Sequence, residues 1–161
     1  MRIRTATQDD VATLAEFRIE MFRDMGTAYE GHLDELDAVQ RPWIADGIAR
    51  GTVTGLIAQE DDRPVGGMQI AWLDVPPSRV DRSGRTAYLY GLRVLPEYRR
   101  RGIVLALLHQ AIELARERGA GTVTLQASDE GAAVYARLGF EPTTEMALVL
   151  ADPDRELPER P

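Results

Sequence analysis

The sequence contains no cysteine. That excludes disulfides, a thiol nucleophile and any thiolate-bound zinc or iron–sulfur site. It contains no lysine either; all 19 basic residues are arginine, which rules out a Schiff-base lysine and a P-loop lysine. Asparagine is absent, and with it any N-glycosylation acceptor. Only two histidines occur, His32 and His109, too few and too far apart in sequence for a histidine-rich metal site, and no metal is expected. No apolar run approaches the ~20 residues of a membrane span. No Gly-x-Ser-x-Gly marks a serine hydrolase. The first residues, Met1-Arg2-Ile3-Arg4-Thr5, turn acidic without the apolar core of a signal peptide. A cytoplasmic protein without membrane partners is expected.

What is present is enough for one ordinary domain. The chain has 161 residues, 44% of them hydrophobic. Its net charge of -7 disfavours general nucleic-acid binding, which needs a basic surface, and no nucleic-acid partner is expected. Arg2–Ala6 alternates like a strand. Thr7 and Asp10 have capping-box spacing before a helix whose stripe is Val11, Leu14, Ala15, Arg18, Ile19 and Phe22. Residues 31–50 read as a second helical region, with Leu33, Leu36, Val39, Trp43, Ile44 and Ile48 as its apolar face and a break or kink at Pro42. Thr52–Ala58 and Val65–Leu73 read as a hairpin, residues 75–84 as a loop, and Arg85–Leu95 as a third consecutive strand. Gly102–Gly119 is strongly amphipathic. Thr122–Ala127 is a strand, Asp129–Leu138 a helix stopped by Gly139, and Met146–Leu150 a last strand. The reading is a mixed α/β domain over 1–150, with an antiparallel meander followed by a parallel βαβ unit. Residues 151–161, rich in proline and charge, read as a loose tail.

The stretch Leu92–Val104 carries the chemistry. A strand ends at Val94-Leu95-Pro96, an arginine run follows at Arg99-Arg100-Arg101, and a long helix opens at Gly102. A helix start offers unpaired N–H groups and the positive end of the dipole, which suits a phosphate or pyrophosphate. Glycine there lets the backbone approach the ligand, and guanidinium groups add charge-assisted bonds. Residues 91–118 carry +3, so the rest of the chain carries -10. An arginine run on a helix cap is also an ordinary solvated feature.

This segment resembles motif A of the GCN5-related N-acetyltransferases (GNAT family): Val-x-Pro on a strand, then Arg/Gln-x-x-Gly-x-Gly/Ala opening a helix. The matching residues are Val94-Leu95-Pro96 and Arg99-Arg100-Arg101-Gly102-Ile103-Val104. Val104 departs from the pattern, where Gly or Ala is usual. Downstream, Tyr135 and Leu138-Gly139-Phe140 resemble motif B. The resemblance covers essentially Arg2–Leu150.

The resemblance implies a GNAT-like mixed sheet of about six to seven strands, helices on both faces, splayed between the fourth and fifth strands. It implies acetyl-CoA as co-substrate. The backbone of Leu92, Arg93 and Val94 would pair with the pantetheine arm, and the amides of Arg99, Arg100, Arg101, Gly102, Ile103 and Val104 would hold the pyrophosphate. Gly91 would mark the bulge that opens the sheet. Ser128 stands where relatives use Asn toward the pantetheine. The implied reaction is direct attack of an amine on the thioester, with the Val94 N–H as oxyanion donor and Tyr135 as general acid to the CoA thiolate. On helical spacing alone, Tyr135 would be a packing aromatic.

Relatives often carry an acidic base on the strand before motif A. The matching positions here are Tyr90 and Gly91, so the base lies elsewhere, is a relayed water, or is dispensable for an amine of low pKa. Glu20, Asp24, Glu30 and Tyr90 are candidates to line the acceptor cleft, although isolated acids are commonly plain surface residues. The acceptor is a small-molecule or peptide amine: the acidic balance hints at a polyamine or aminoglycoside, and a peptide N-terminus or an amino acid fits as well. The competing class is a non-catalytic acyl-CoA-binding or sensor domain. A homodimer is compatible with the resemblance.

Overall fold

The elements follow in the order β1 (Arg2–Thr5), α1 (Val11–Asp24), α2 (Leu33–Arg50), β2 (Val53–Glu60), β3 (Arg63–Asp74), β4 (Arg85–Val94), α3 (Ile103–Glu117), β5 (Thr122–Leu125) and α4 (Asp129–Arg137). Short 3-10 turns at Gln8–Asp10 and Pro96–Tyr98 precede α1 and α3. This is a computed structural model, and it describes residues 1–26 and 32–148. The chain divides into two compact units, Met1–Gln126 and the segment from Ala127 onward.

The first unit is built on one mixed sheet with its strands in chain order, β1-β2-β3-β4-β5. Neighbours from β1 to β4 are antiparallel and β4–β5 is parallel, as the hairpin and βαβ patterns predict. Asp61 and Asp62, both at positive φ (47° and 62°), turn the β2–β3 hairpin, the conformation a two-residue loop needs to match strand twist. Five strands are found among the described residues, fewer than the expected six to seven. Residues 141–148 join no ladder. Pro142 lacks a ladder donor, and Met146 is left 95% exposed. Residues 149 and 150 of that expected strand lie outside the described residues.

The Thr7–Asp10 spacing holds at the start of α1. The Thr7 N–H donates to Asp10 Oδ2 at 2.8 Å, and Arg4 donates to both Asp10 oxygens at 2.7 Å. Leu14, Ala15 and Phe17 of α1 then pack with Ala6, Ile44 of α2 and Ile57 of β2. Gly55 permits this close approach: a Cβ there would lie 2.4 Å from Leu14 Cδ1. Alternation sends Leu56, Ala58, Met68 and Ile70 to the opposite face. These are fully buried, and α3 packs over β2, β3 and β4 with Leu107, Leu108 and Ala111 buried. Each fully buried Leu or Ile contributes roughly 2 kcal/mol of transfer free energy. Helices thus cover both faces.

Two expectations for α2 change: no break occurs at Pro42, and two residues of the expected apolar face are exposed. The helix runs unbroken through Pro42. Pro42 and Ala38, whose carbonyl loses its N–H partner four residues on, are both exposed, so water can replace the missing donor. The buried residues are Leu33, Gln40, Ile44 and Gly47, while Val39 and Trp43 are 65% and 51% exposed. Leu33 and Ile44 of the expected face are buried and Leu36 and Ile48 half-buried, so only Val39 and Trp43 depart from it.

In the second unit, Ser128 caps α4 by accepting from the Gly131 N–H at 3.2 Å. The helix closes at Gly139 as expected: the Phe140 N–H donates to the Tyr135 carbonyl at 3.1 Å. The Tyr135 and Phe140 rings meet edge to face, 5.9 Å apart.

Candidate active site

The site begins with an unequal pairing of β4. Its parallel ladder with β5 runs from Thr86↔Thr122 to Leu89↔Leu125 and stops, while β4 continues to Val94. Beside that stop the β3–β4 register slips. Gln69 faces Tyr90 but Gly67 faces Arg93, so Gly91 and Leu92 together oppose Met68. This is a β-bulge, and Gly91 takes the positive φ of 65° that such a bulge favours. Arg93 and Val94 keep their β3 side paired, Leu92 lies in the bulge, and none of the three has a β5 partner. An extended ligand can pair with that open edge.

The strand leads directly into the arginine loop. Leu95 N–H returns to Val65 O at 2.9 Å, and Tyr98 N–H to Leu95 O at 2.9 Å. Arg100 then adopts φ +62° and Gly102 φ +78°, immediately before α3. The first backbone bond into α3 is Ala106 N–H to Gly102 O. Among the described residues no backbone acceptor meets the N–H groups of Arg100, Arg101, Gly102, Ile103, Val104 and Leu105. Successive N–H groups around left-handed residues form a concave anion-binding nest, here at a helix N-terminus. A Cβ on Gly102 would meet nothing within 4 Å, so the approach is open. The arginine side chains diverge. Arg99 turns to Val94 O and Asp24. Arg101 lies over the Tyr98 ring at 4.9 Å and donates to Glu97 O. Val104 is half-buried at the second helical position. These residues fit a CoA pyrophosphate and pantetheine arm.

Glu20 and Asp24, on the last turns of α1, are both engaged by arginine. Asp24 Oδ2 accepts from Arg99 Nη2 at 2.5 Å and from Arg93 Nε at 3.3 Å; Glu20 pairs with Arg23 and lies 3.7 Å from Arg93. Glu30 lies outside the described residues.

Tyr90 belongs to a polar and aromatic cluster on the sheet face under α1 and α2. Its ring stacks on Tyr88 at 6.0 Å and meets Trp43 edge-on at 6.0 Å. Arg18 lies over it, with the guanidinium carbon 5.2 Å from the ring centre. The Tyr90 hydroxyl is buried without a partner among the described residues, and burial pushes its pKa well above the usual phenol value. A phenol so placed stays protonated at neutral pH and is not the base that accepts the amine proton. Burial also lowers the pKa of Arg18, against smaller contributions from the two tyrosines.

Tyr135 and Ser128 lie in the second unit. Burial raises the pKa of the Tyr135 phenol, which keeps its proton available. The Ser128 hydroxyl oxygen is occupied as the α4 cap, leaving its hydrogen to donate.

Two residues of structural weight are not singled out in the sequence, and a third, Arg18, is named there only as part of a stripe. Asp81 takes the Ser83 N–H at 2.8 Å and the Thr122 hydroxyl at 3.0 Å, pinning the 75–84 loop to β5. These hydrogen bonds, led by the Ser83 hydroxyl, hold its pKa below the usual value. Gln69 is a fully buried amide in a central strand. Arg18 stands on the predicted apolar stripe of α1, and a charge on such a stripe is the signal that marks it. Among the described residues no helix is long and apolar enough to cross a membrane, and no group of three acidic or histidine side chains could hold a metal.

Comparison with known proteins identifies the family. The acetyltransferase (GNAT) family model matches residues 14–140. A GCN5-related N-acetyltransferase from Ralstonia eutropha JMP134 superposes with a TM-score of 0.88 at 30% identity, covering 93% of this chain and 98% of that one. A "predicted acetyltransferase with acetyl-CoA" from Clostridium acetobutylicum gives 0.84 at 26% identity, covering 92% and 94%. An aminoglycoside acetyltransferase from an uncultured soil metagenomic sample gives 0.67 at 26% identity, covering 93% and 98%. No curated protein matches the sequence. The chain belongs to the GNAT acetyltransferase family. It is an N-acetyltransferase by class, and the donor of that class is acetyl-CoA.

Proposed function

We propose that the protein moves the acetyl group of acetyl-CoA directly onto a primary amine of a small molecule or peptide. One observation carries this reading: the unpaired edge of Leu92–Val94 runs straight into the unpaired amides of Arg100–Leu105. A ligand with an amide-bearing arm and a pyrophosphate fits both at once. The amine nitrogen attacks the thioester carbonyl and a tetrahedral oxyanion forms. The Val94 N–H donates to that oxyanion. The C–S bond then breaks, and Tyr135 gives its proton to the leaving thiolate. Attack needs the neutral amine. With Glu20 and Asp24 held by arginine, water or the bulk buffer takes the ammonium proton.

A non-catalytic acyl-CoA-binding role is the second reading. It is favoured by the absence of a carboxylate on β4 beside the bulge, where Tyr88, Tyr90 and Gly91 stand. Calorimetric titration with acetyl-CoA and CoA, followed by an amine screen read as thiol release, tests both. One-to-one binding with amine-dependent thiol release supports the enzyme. Binding without release on any amine supports the sensor. No binding of either ligand removes both readings.

A further inference from the structure

We propose that Arg18 anchors a carboxylate on the acceptor, so that the amine accepted also carries a carboxylate and an apolar or aromatic side chain, as a hydrophobic amino acid does. The proposal rests on the acetyl-transfer reading above and names the substrate class for it.

Arg18 is half-buried between rings, its guanidinium carbon 5.5 Å from the Phe22 centroid and 5.2 Å from that of Tyr90. Its one side-chain hydrogen bond among the described residues is long, Nη1 to Gln40 Oε1 at 3.4 Å. Among the described residues no carboxylate pairs with it. Other guanidiniums drawn into this unit do have acids: Arg4 has Asp10, and Arg93, only 9% exposed, has Asp24 and Glu20. The nearby acids are committed elsewhere. Asp37 holds Arg41 at 2.6 Å, Glu20 pairs with Arg23 and Arg93, and Asp24 pairs with Arg93 and Arg99. A guanidinium removed from water without a counter-charge is costly, and a bidentate carboxylate is its best partner.

The surroundings are incomplete in the same place. Among the described residues two buried side-chain polar atoms have no partner, Gln69 Oε1 and the Tyr90 hydroxyl. Both belong to the sheet face beside Arg18. A Cβ at Gly91 would lie 2.8 Å from Gln69 Nε2 and 3.6 Å from Arg18 Cβ. Gly91 directly precedes the open edge at Leu92, so the cation stands next to the strand given above to the pantetheine arm. Trp43 and Tyr88, packed on Tyr90, supply an aromatic wall. A simple cationic amine meets an uncompensated positive charge there, whereas a zwitterion brings its own counter-charge. The net acidity of the whole chain therefore misleads about this cleft.

The test compares wild-type kcat/KM for phenylalanine and leucine with that for their amides and for phenethylamine. A charged hydrogen-bond pair of ordinary strength predicts a preference of at least about tenfold for the acids. Arg18→Gln should bring the acid-to-amide ratio within about twofold, and Arg18→Lys should recover part of it because the charge remains. A second arm needs no turnover: 3-phenylpropionate is titrated into the CoA complex and read by tryptophan fluorescence. Amines acetylated without an acid preference, or a preference that survives Arg18→Gln, overturn the proposal and leave the acetyltransferase reading standing. If no amine is acetylated but 3-phenylpropionate binds wild type and not Arg18→Gln, the carboxylate anchor stands and the enzyme reading falls. Absence of both transfer and binding overturns the anchor. The wild-type comparison is informative even if the Gln variant fails to fold.

Discussion

The Asp24 carboxylate, on the last residue of α1, accepts a hydrogen bond from Arg99 Nη2 at 2.5 Å. The first helix is thereby tied to the loop that opens α3. Both side chains are partly exposed, so the pair itself is worth at most ~1 kcal/mol. Its larger effect is on the ligand, since it holds an acid beside the nest and draws Arg99 away from it. Asp24→Asn is therefore expected to leave the urea midpoint nearly unchanged. It should tighten acetyl-CoA binding roughly twofold to tenfold at low salt, with the gain shrinking as salt rises. Calorimetry at two ionic strengths checks it. Weaker binding in the variant would show that the pair positions the loop instead of competing with the ligand.

Gly91 and Gly102 both sit at positive φ, but in different surroundings. A Cβ at Gly91 would press on Gln69 Nε2 at 2.8 Å, whereas one at Gly102 would meet nothing within 4 Å. Left-handed backbone costs a non-glycine residue roughly 1–2 kcal/mol at either place. Gly102→Ala should lose about that much. Gly91→Ala should lose more, about 2–3 kcal/mol in all, because the packed amide must also shift. Equal losses in denaturant titration would mean that Gln69 moves aside freely.

Asp10 gives a pH signature unrelated to catalysis. Hydrogen bonds from Arg4, chiefly, and from Thr7 hold its carboxyl at about 2, below the ordinary 3.8. A carboxyl lowered on folding adds stability above its unfolded pKa and loses it as the pH falls through the folded value. The contribution is about 2 kcal/mol at neutral pH, fully present above about pH 5 and fading toward pH 2. Urea unfolding of wild type and Asp10→Asn across pH 7 to pH 2 should show a stability gap that closes in that window. A gap independent of pH would assign the effect to packing.

Periodicity made most of the first unit legible. The meander, the parallel pair and α3 all follow from alternation or from a 3.6-residue stripe, and the arginine loop followed from a strand, a glycine and a helix in succession. Patterns of one element could not show what depends on two. Val39 and Trp43 look like core on α2, yet Gln40 is buried instead because its amide reaches the Ala15 carbonyl on α1 at 3.1 Å. Glu20 and Asp24 look like free acids until Arg93 and Arg99 are folded against them. Arg18 was visible on its stripe, but that no acid among the described residues pairs with it could be seen only once Glu20, Asp24 and Asp37 had been placed. The bulge was marked by Gly91, while its cause needed the pairing of β3 with β4.

Tyr135 is the residue whose removal separates chemistry from binding most cleanly. Its ring packs on Phe140, so Tyr135→Phe keeps the apolar contact and deletes only the hydroxyl. The proton it would give to the thiolate is then lost, and general-acid contributions are typically ~10²–10⁴-fold. Water can replace part of that, so kcat is expected to fall by at least about tenfold while the acetyl-CoA Kd changes less than about threefold. Because burial raises the Tyr135 pKa above the phenol value of 10, the wild-type rate should show no loss attributable to tyrosine ionisation between pH 6 and pH 9. Steady-state kinetics of both proteins across that range provide the check. A variant with unchanged kcat would assign the thiolate proton to solvent and leave Tyr135 as packing.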